Sequence, residues 1–270
     1  MAFVHLRSHT EFSVVDGTVR IDDLVKAAAK DGQPAVAVTD LSNLFGAVKL
    51  YKAAQKKGVQ PIIGADVWLE PEEAGKAPNR LLLLVQTRQG YLRLCELLGE
   101  AWTAPGQRTH AWVHWASLAE NNTGLICLSG ADLGPVGQAI LNGDLAKAEA
   151  QASKLAEAFP GRFYIELQRA GHATNEPHIR GVVPMAAKLG LPVVATHPIQ
   201  FQEPDFKNRT ILRRMKPALA LPRARPWATH VASSVSPANS ISRPRQRCRP
   251  CLPTSPPLWP TRWPLPGVAR

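Results

Sequence analysis

Short apolar runs alternate with amphipathic segments over about the first three quarters of the chain. Runs of this length that are flanked by turn residues are typical of buried strands. We therefore predict seven strands, at Phe3–Leu6, Ala35–Val38, Pro61–Leu69, Leu81–Val85, Gly124–Leu128, Arg162–Leu167 and Pro192–Ala195.

Three of the segments between these runs repeat apolar residues at spacings of three and four, the period of an amphipathic helix. The repeating positions are Ile21, Leu24, Val25 and Ala28; Leu44, Val48, Tyr51 and Ala54; and Leu92, Cys95, Leu98 and Trp102. Strands separated by helices imply βαβ units and a parallel sheet, which seven strands could close into a barrel. The polar, proline-bounded segment 70–79 is predicted to be a solvated crossover between two strands.

Candidate chemistry lies where the predicted strands end. Positions 5, 7 and 9 share one face of an extended strand, and they are occupied by His5, Arg7 and His9, with Asp16 and Gly17 following. Histidines two residues apart can converge on a divalent ion, whereas an arginine stays protonated and is no ligand. Two histidines and an aspartate near a strand, taken alone, are more typical of ordinary surface residues than of a metal site. Further polar candidates at such junctions are Asp40, Asp66, Thr196 and His197.

The chain resembles a known family through several blocks of sequence: His5 to Gly17, Val36 to Val48, Gly58 to Asp66, Gln89 to Tyr91, Gly124 to Gly130, Phe163 to Gln168 and Leu191 to Thr196. Together they resemble the polymerase and histidinol phosphatase (PHP) domain at the N-terminus of bacterial DNA polymerase III alpha subunits. The resemblance covers residues 3 to 206. It implies an α/β fold, a distorted (β/α)7 barrel of the PHP type, with its metal site at the C-terminal rim of the strands.

Against the family pattern, most metal ligands have been replaced. The replacing residues are Arg7, Leu41, Arg80, Ala131, Ala170, Pro198 and Gln200, and Asp66 stands for a longer glutamate. Only the vestigial positions His9, Asp16 and Asp66 remain, so we expect no catalytic, cofactor-binding or metal-binding residues in this chain. Arg7 is expected to form an ion pair with Asp16 or Asp66 in place of a metal ion.

Composition changes abruptly near residue 210. Residues 211–270 contain 11 of the 32 basic residues, 12 of the 24 prolines and no acidic residue, so the whole net charge of +11 comes from this segment. We predict a barrel domain at 1–206 and a disordered Pro/Arg-rich tail at 207–270. Shifting the reading frame makes Trp259-Pro260 and Trp263-Pro264 each yield an alanine, which indicates a frameshift near residues 205–214. Resequencing of the nucleic acid would test that hypothesis.

The resemblance implies a fragment of the replicative polymerase, inactive by itself, whose full-length relatives are DNA-directed DNA polymerases that use Mg²⁺ and bind DNA. We expect a metal-depleted structural platform for the exonuclease proofreading subunit and other replicase subunits. A stand-alone PHP-type phosphoesterase is the alternative, and a nucleic-acid-binding basic tail is a third interpretation. No signal sequence or long apolar run is visible, so we expect a cytoplasmic protein without membrane contact.

Overall fold

The computed structural model describes residues 3–14, 16–72, 76–105 and 110–201. Within these ranges the strands are β1 (Ala35–Val38), β2 (Gln60–Leu69), β3 (Asn79–Val85), β4 (Trp112–Val113), β5 (Leu125–Leu128), β6 (Phe163–Gln168) and β7 (Val193–Thr196). The helices are α1 (Ile21–Lys30), α2 (Ala47–Lys57), α3 (Arg88–Thr103), α4 (Trp115–Glu120), α5 (Pro135–Leu141), α6 (Leu145–Ala158) and α7 (Asn175–Leu189). The predicted tail at 207–270 lies outside the described residues.

The strands form one curled sheet in the order β1-β2-β3-β5-β6-β7, and the short β4 pairs with β2. The N-terminal segment joins the two edges of this sheet. His5 bridges to Val36 of β1, while Ser8 bridges to Ile199 just after β7, both in parallel. Backbone bonds from Ala37 N to His5 O and from His9 N to Ile199 O continue the same seam. The expected distorted barrel of the PHP type is therefore confirmed.

Three features of the predicted sheet are wrong. The predicted strand Phe3–Leu6 forms only an isolated bridge at His5. Strand β3 is antiparallel to both β2 and β5, so the sheet is mixed. Because β2 and β3 are antiparallel neighbours, the connection between Leu69 and Asn79 is no crossover, since a crossover joins parallel strands. The two-residue strand β4 was not predicted, since a run that short carries no periodicity.

The three predicted helices correspond to α1, α2 and α3, whereas α4 to α7 were not predicted. In α2 and α3 the buried face differs in part from the predicted one. In α2 the buried side chains are Ala47, Leu50 and Ala54, whereas Val48 and Tyr51 are exposed. In α3, Leu94, Leu97 and Ala101 are buried, while Leu92 and Trp102 are exposed. Leucines and alanines together form the buried faces of these two helices. Part of the three-four spacing that predicted these helices therefore comes from apolar side chains that are exposed and not buried.

Helix α3 packs on the sheet through a close backbone approach. A Cβ built on Gly90, in its first turn, would lie 2.0 Å from the carbonyl oxygen of Gly124, which precedes β5. Near the other end of the same helix, a Cβ on Gly99 would meet nothing within 4 Å. Gly90 is therefore a position where this contact can be tested by substitution, and Gly99 is its control on the same helix.

We expect Gly90→Ala to destabilise the protein by at least about 2 kcal/mol, because the backbone of Gly124 would have to move. Gly99→Ala should instead be neutral or stabilising by up to about 1 kcal/mol, since alanine favours a helix over glycine. Urea unfolding monitored by circular dichroism measures both. Equal effects of the two substitutions would contradict this account of the α3 contact.

A buried ion-pair cluster as the candidate functional site

Six charged side chains meet inside the barrel near the C-terminal ends of the parallel strands. Arg7 and His9 lie on the N-terminal segment, and Asp16 follows the short 3-10 turn Glu11–Ser13. The remaining members come from the strands, with Asp66 in β2, Arg80 in β3 and Glu166 in β6. We call these six residues the ion-pair cluster. Because β3 is antiparallel, its second residue, Arg80, lies at the same end of the barrel as the C-terminal parts of its neighbours.

Arg7 lies between two carboxylates. Its Nη1 donates to both oxygens of Glu166, at 3.0 and 2.9 Å, and its Nη2 donates to Oδ2 of Asp66 at 2.5 Å. The Arg7 side chain is 4% exposed, and those of Asp66 and Glu166 are 0% exposed. The predicted ion pair between Arg7 and Asp66 is confirmed. The alternative pairing of Arg7 with Asp16 is not seen, because Asp16 has other partners.

Those partners are His9 and Arg80. His9 Nδ1 lies 2.9 Å from Oδ1 of Asp16, and His9 Nε2 lies 3.1 Å from Oδ2 of Asp66. Both guanidinium nitrogens of Arg80 are 3.4 Å from Oδ2 of Asp16, and Nη1 is also 3.2 Å from Oδ2 of Asp66. Asp66 therefore contacts all three cations. The Arg80 guanidinium also lies over the ring of Trp68, 4.4 Å from its centroid.

The charges of the cluster balance. Burial disfavours the charged form of His9, but the carboxylates of Asp16 and Asp66 outweigh it and raise the pKa of His9 to about 9. Burial also opposes ionisation of Asp66, yet Arg7, Arg80 and His9 hold the pKa of Asp66 well below its usual range. The pKa of Asp16 is lowered against burial, chiefly by His9 and then by Arg80. Three basic side chains thus face three acidic ones.

Glu166 was missed by the sequence reasoning, although it lies in one of the quoted blocks. Its carboxylate accepts hydrogen bonds from Thr196 Oγ1 at 2.6 Å and from Gln168 Nε2 at 2.9 Å, and its backbone N–H donates to Ser129 Oγ. The available signal was an acidic residue inside an apolar strand, since a carboxylate there needs a buried cation. Thr196 enters the site as a partner of Glu166.

Two other predicted junction residues lie outside the cluster. Asp40 accepts bonds from the backbone N–H of Thr10 and from Ser13 Oγ, both at 2.6 Å, and so fixes the turn that precedes Asp16. His197 packs edge-on against His5, with ring centroids 6.2 Å apart. These contacts are structural.

The residues of the site do not fit a metal cluster. The Arg7 guanidinium fills the space between Asp66 and Glu166, and that of Arg80 contacts Asp16 and Asp66, so cations already take the carboxylate oxygens that a metal would use. Both ring nitrogens of His9 also face carboxylates. Among the described residues no group of three or more His, Cys, Asp or Glu is placed to share one metal ion. That this chain binds no metal stays a prediction.

The chain is similar in sequence to known proteins of one family. The family model of the PHP domain matches residues 5–170. The DNA polymerase III subunit alpha of Pseudomonas aeruginosa is 43% identical over 208 residues, which make up 77% of this chain and 18% of that protein. The subunit of Escherichia coli K12 is 38% identical over 210 residues, again 77% of this chain and 18% of the relative. The chain thus spans less than a fifth of the length of these curated relatives.

A solved structure shows the same fold. An amidohydrolase from Chromobacterium violaceum has a TM-score of 0.52 and 14% identity to the chain, with 74% of this chain and 88% of that chain covered. At this identity the likeness concerns the fold alone. Among the described residues no helix has the length and apolar character needed to cross a membrane.

We expect the Arg7–Asp66 pair to be strongly coupled. Arg7→Ala and Asp66→Ala should each cost about 3–5 kcal/mol of stability, because each leaves a buried charge unpaired. The double variant should cost less than the sum of the two by at least about 1 kcal/mol. Chemical denaturation of the four proteins gives this coupling energy, and a value near zero would refute the ion-pair role of Arg7.

The control for this cycle is the exposed pair of Lys49 and Glu11. Their side chains are 41% and 35% exposed and lie 2.7 Å apart. Alanine substitutions there should give a coupling below about 1 kcal/mol, because water screens the pair. Arg7→Lys keeps the charge but cannot place one nitrogen on Glu166 and another on Asp66. Its stability should fall between those of wild type and Arg7→Ala.

His9 makes the stability depend on pH on the alkaline side. The folded-state pKa of about 9 exceeds the ordinary value of 6.5, so the contribution of protonated His9 is fully present below pH 6.5 and is lost as the pH rises towards 9. We expect a loss on the order of 1–3 kcal/mol across this window, because the folded state then has to release a bound proton. Free energies of unfolding from pH 6 to about 10 should show this slope in wild type but not in His9→Gln. Parallel slopes would argue against a protonated His9.

Proposed function

The chain belongs to the PHP domain family, and from this membership we propose that it is the N-terminal part of a replicative DNA polymerase III alpha subunit. Support comes from the match of 208 residues to the Pseudomonas aeruginosa subunit at 43% identity. In this proposal DNA-directed DNA polymerisation, with Mg²⁺ and DNA as its cofactor and ligand, belongs to the full-length protein in the cytoplasm. The described domain contributes no group to that reaction and is inactive by itself.

The domain's own role is then structural. The observation that carries this is the position of the Arg7 guanidinium between Asp66 and Glu166. Fixed cations that lie where mobile metal ions would act hold three parts of the barrel together but activate no water. We propose that the domain is a rigid platform for the exonuclease proofreading subunit and other replicase subunits.

A metal-dependent PHP phosphoesterase is the second candidate. The family match of residues 5–170 keeps this function under consideration. It would require several ligands around open coordination positions, whereas Arg7 and Arg80 here bond the same carboxylates. The charge balance of the cluster favours the structural role.

We expect the purified chain to contain no stoichiometric Zn²⁺ or Mn²⁺ and to hydrolyse no phosphomonoester, because guanidinium groups compete for the carboxylates. Elemental analysis and a phosphatase assay with added Mn²⁺ measure this, together with a primer-extension assay that should show no incorporation. Two or more metal ions per chain, removable together with phosphatase activity, would establish the phosphoesterase instead.

The platform role predicts that the chain binds the purified exonuclease subunit. Glu166→Gln should weaken this binding in parallel with its loss of stability, because Glu166 accepts both bonds from Nη1 of Arg7. The matched control is Glu149→Gln on α6, whose ion-pair partner Lys188 is 65% exposed, and it should bind like wild type. Calorimetric titration measures all three proteins. Absence of binding by the wild-type chain would contradict the platform.

A further inference from the structure

Helix α2 carries positive charge without a balancing negative charge of its own. It contains four lysines and no acidic residue. One of them, Lys49, pairs with Glu11 of the N-terminal segment at 2.7 Å. Within the described part of the chain, no carboxylate lies within ion-pair distance of Lys52, Lys56 or Lys57. Three neighbouring ammonium groups on one helix are therefore open to an outside anion.

Two of these lysines lie beside an exposed aromatic ring. Lys52 and Lys56 are exposed and four residues apart, so they are neighbours on the helix surface. Tyr51 is 44% exposed, and its hydroxyl oxygen accepts a hydrogen bond from Nε2 of the exposed Gln55 at 3.3 Å. We call Tyr51, Lys52, Gln55 and Lys56 the α2 face. It combines two unpaired positive charges with one ring held by a neighbour.

The α2 face is separate from the ion-pair cluster. Helix α2 connects the parallel strands β1 and β2, so it runs back from the end of the barrel that holds the cluster. Its last turn lies at the opposite end, where the N–H of Gln60 donates to the carbonyl oxygen of Pro34 at 2.8 Å. Leu50 and Ala54 are buried in the core beneath the helix. The α2 face is consequently on the outside of the barrel.

The helix dipole accounts for only part of this charge. Lys56 and Lys57 lie in the last turn of α2, where cations interact favourably with the negative end of the dipole. Lys52 lies further from that end, and it stands four residues before Lys56. Like charges at this spacing destabilise a helix, and no acidic residue of α2 offsets the repulsion. A bound polyanion would remove it.

A single strand of nucleic acid fits this face better than other polyanions. Lysines bind phosphates as point charges and release counterions from the strand. An exposed aromatic ring stacks on an unpaired base, whereas the bases of a duplex already stack on one another. An acidic peptide would pair with the lysines but would offer Tyr51 no base. The ring and the charges together therefore select a single strand.

We propose that the α2 face binds single-stranded DNA, with Lys52 and Lys56 on phosphates and Tyr51 stacked on a base. The contact goes beyond the platform role and lies outside any catalytic centre. The choice of DNA over RNA rests on the proposed function, because the relatives are DNA polymerase subunits. The contact itself rests on the charges and the ring.

The first test measures binding of a thymidine oligonucleotide of about 12 nucleotides by fluorescence anisotropy at several salt concentrations. It uses the whole 270-residue chain, so the basic segment after residue 210 contributes equally to every variant. The double variant Lys52→Gln/Lys56→Gln should bind at least about fivefold more weakly at about 0.1 M salt. Its salt slope should be shallower by roughly 1.4, since each phosphate contact of a single strand contributes about 0.7. An unchanged slope would overturn the proposal.

A charge reversal separates the contact from net charge and from folding. Lys52→Glu places a carboxylate four residues before Lys56, the favourable order on a helix, so the thermal midpoint should not fall. Binding of the oligonucleotide should nevertheless weaken by at least about fivefold. The control is Lys188→Glu in the last turn of α7, at a lysine that is 65% exposed, and it should bind within about twofold of wild type. Equal weakening of both variants would show an effect of net charge alone and would overturn the proposal.

The ring is tested by photochemical cross-linking. An oligonucleotide that carries iodouracil should cross-link to the α2 peptide at Tyr51, because the stacked base lies against this ring. Tyr51→Ser should lose that cross-link and weaken binding by about fivefold or more, while its stability stays close to wild type at this exposed position. Cross-links that form only outside α2 would overturn the proposal.

The same titrations identify other partners. RNA, duplex DNA or polyglutamate that binds more tightly than the single strand, with the same dependence on Lys52, would assign the face to that partner and overturn the proposal. A chain that binds the exonuclease subunit, but whose α2 variants all bind DNA like wild type, refutes this inference and leaves the proposed function intact. A chain that shows the α2 contact without binding the exonuclease subunit refutes the platform and leaves this inference intact.

Discussion

The contact between Arg7 and its two carboxylates is the constraint on which the site depends. It joins the N-terminal segment to β2 through Asp66 and to β6 through Glu166, positions separated by 59 and 159 residues from Arg7. Removing one carboxylate partner from a buried guanidinium leaves a charge in a medium that solvates it poorly. The cluster therefore requires the barrel to be closed, and the seam between Ser8 and Ile199 closes it.

A site built on guanidinium groups differs from a site built on divalent metal ions in what it can do. A divalent ion can exchange ligands and lower the pKa of a bound water, whereas Arg7 and Arg80 are attached to the backbone and donate fixed hydrogen bonds. Guanidinium groups thus supply attraction between charges but no exchangeable ligand position. Asp66, which contacts Arg7, His9 and Arg80, shows this most clearly, since it would be repelled by its neighbouring carboxylates without them.

The local pattern of apolar and polar residues predicts some elements of this structure and leaves others undetermined. Strand β1 was predicted with the bounds it has, and the four positions predicted to repeat along α1 are all buried, because a short apolar run and a strict three-four spacing describe these elements. The direction of β3 was not predicted, since strand direction depends on the connection and not on the strand's own residues. In the site, Arg7 was identified with one correct partner. Glu166 was missed because its one local signal, an acidic residue in an apolar strand, does not say that its partner lies 159 residues away.

All members of the cluster and their supports precede the end of the described chain, with Arg7 first and Thr196 last. The changed composition after residue 210 therefore does not alter any contact that holds the cluster together. The cluster and the seam that closes the barrel are therefore specified together within the described residues. What Arg7, Asp66, Arg80 and Glu166 contribute there is charge pairing inside a closed barrel.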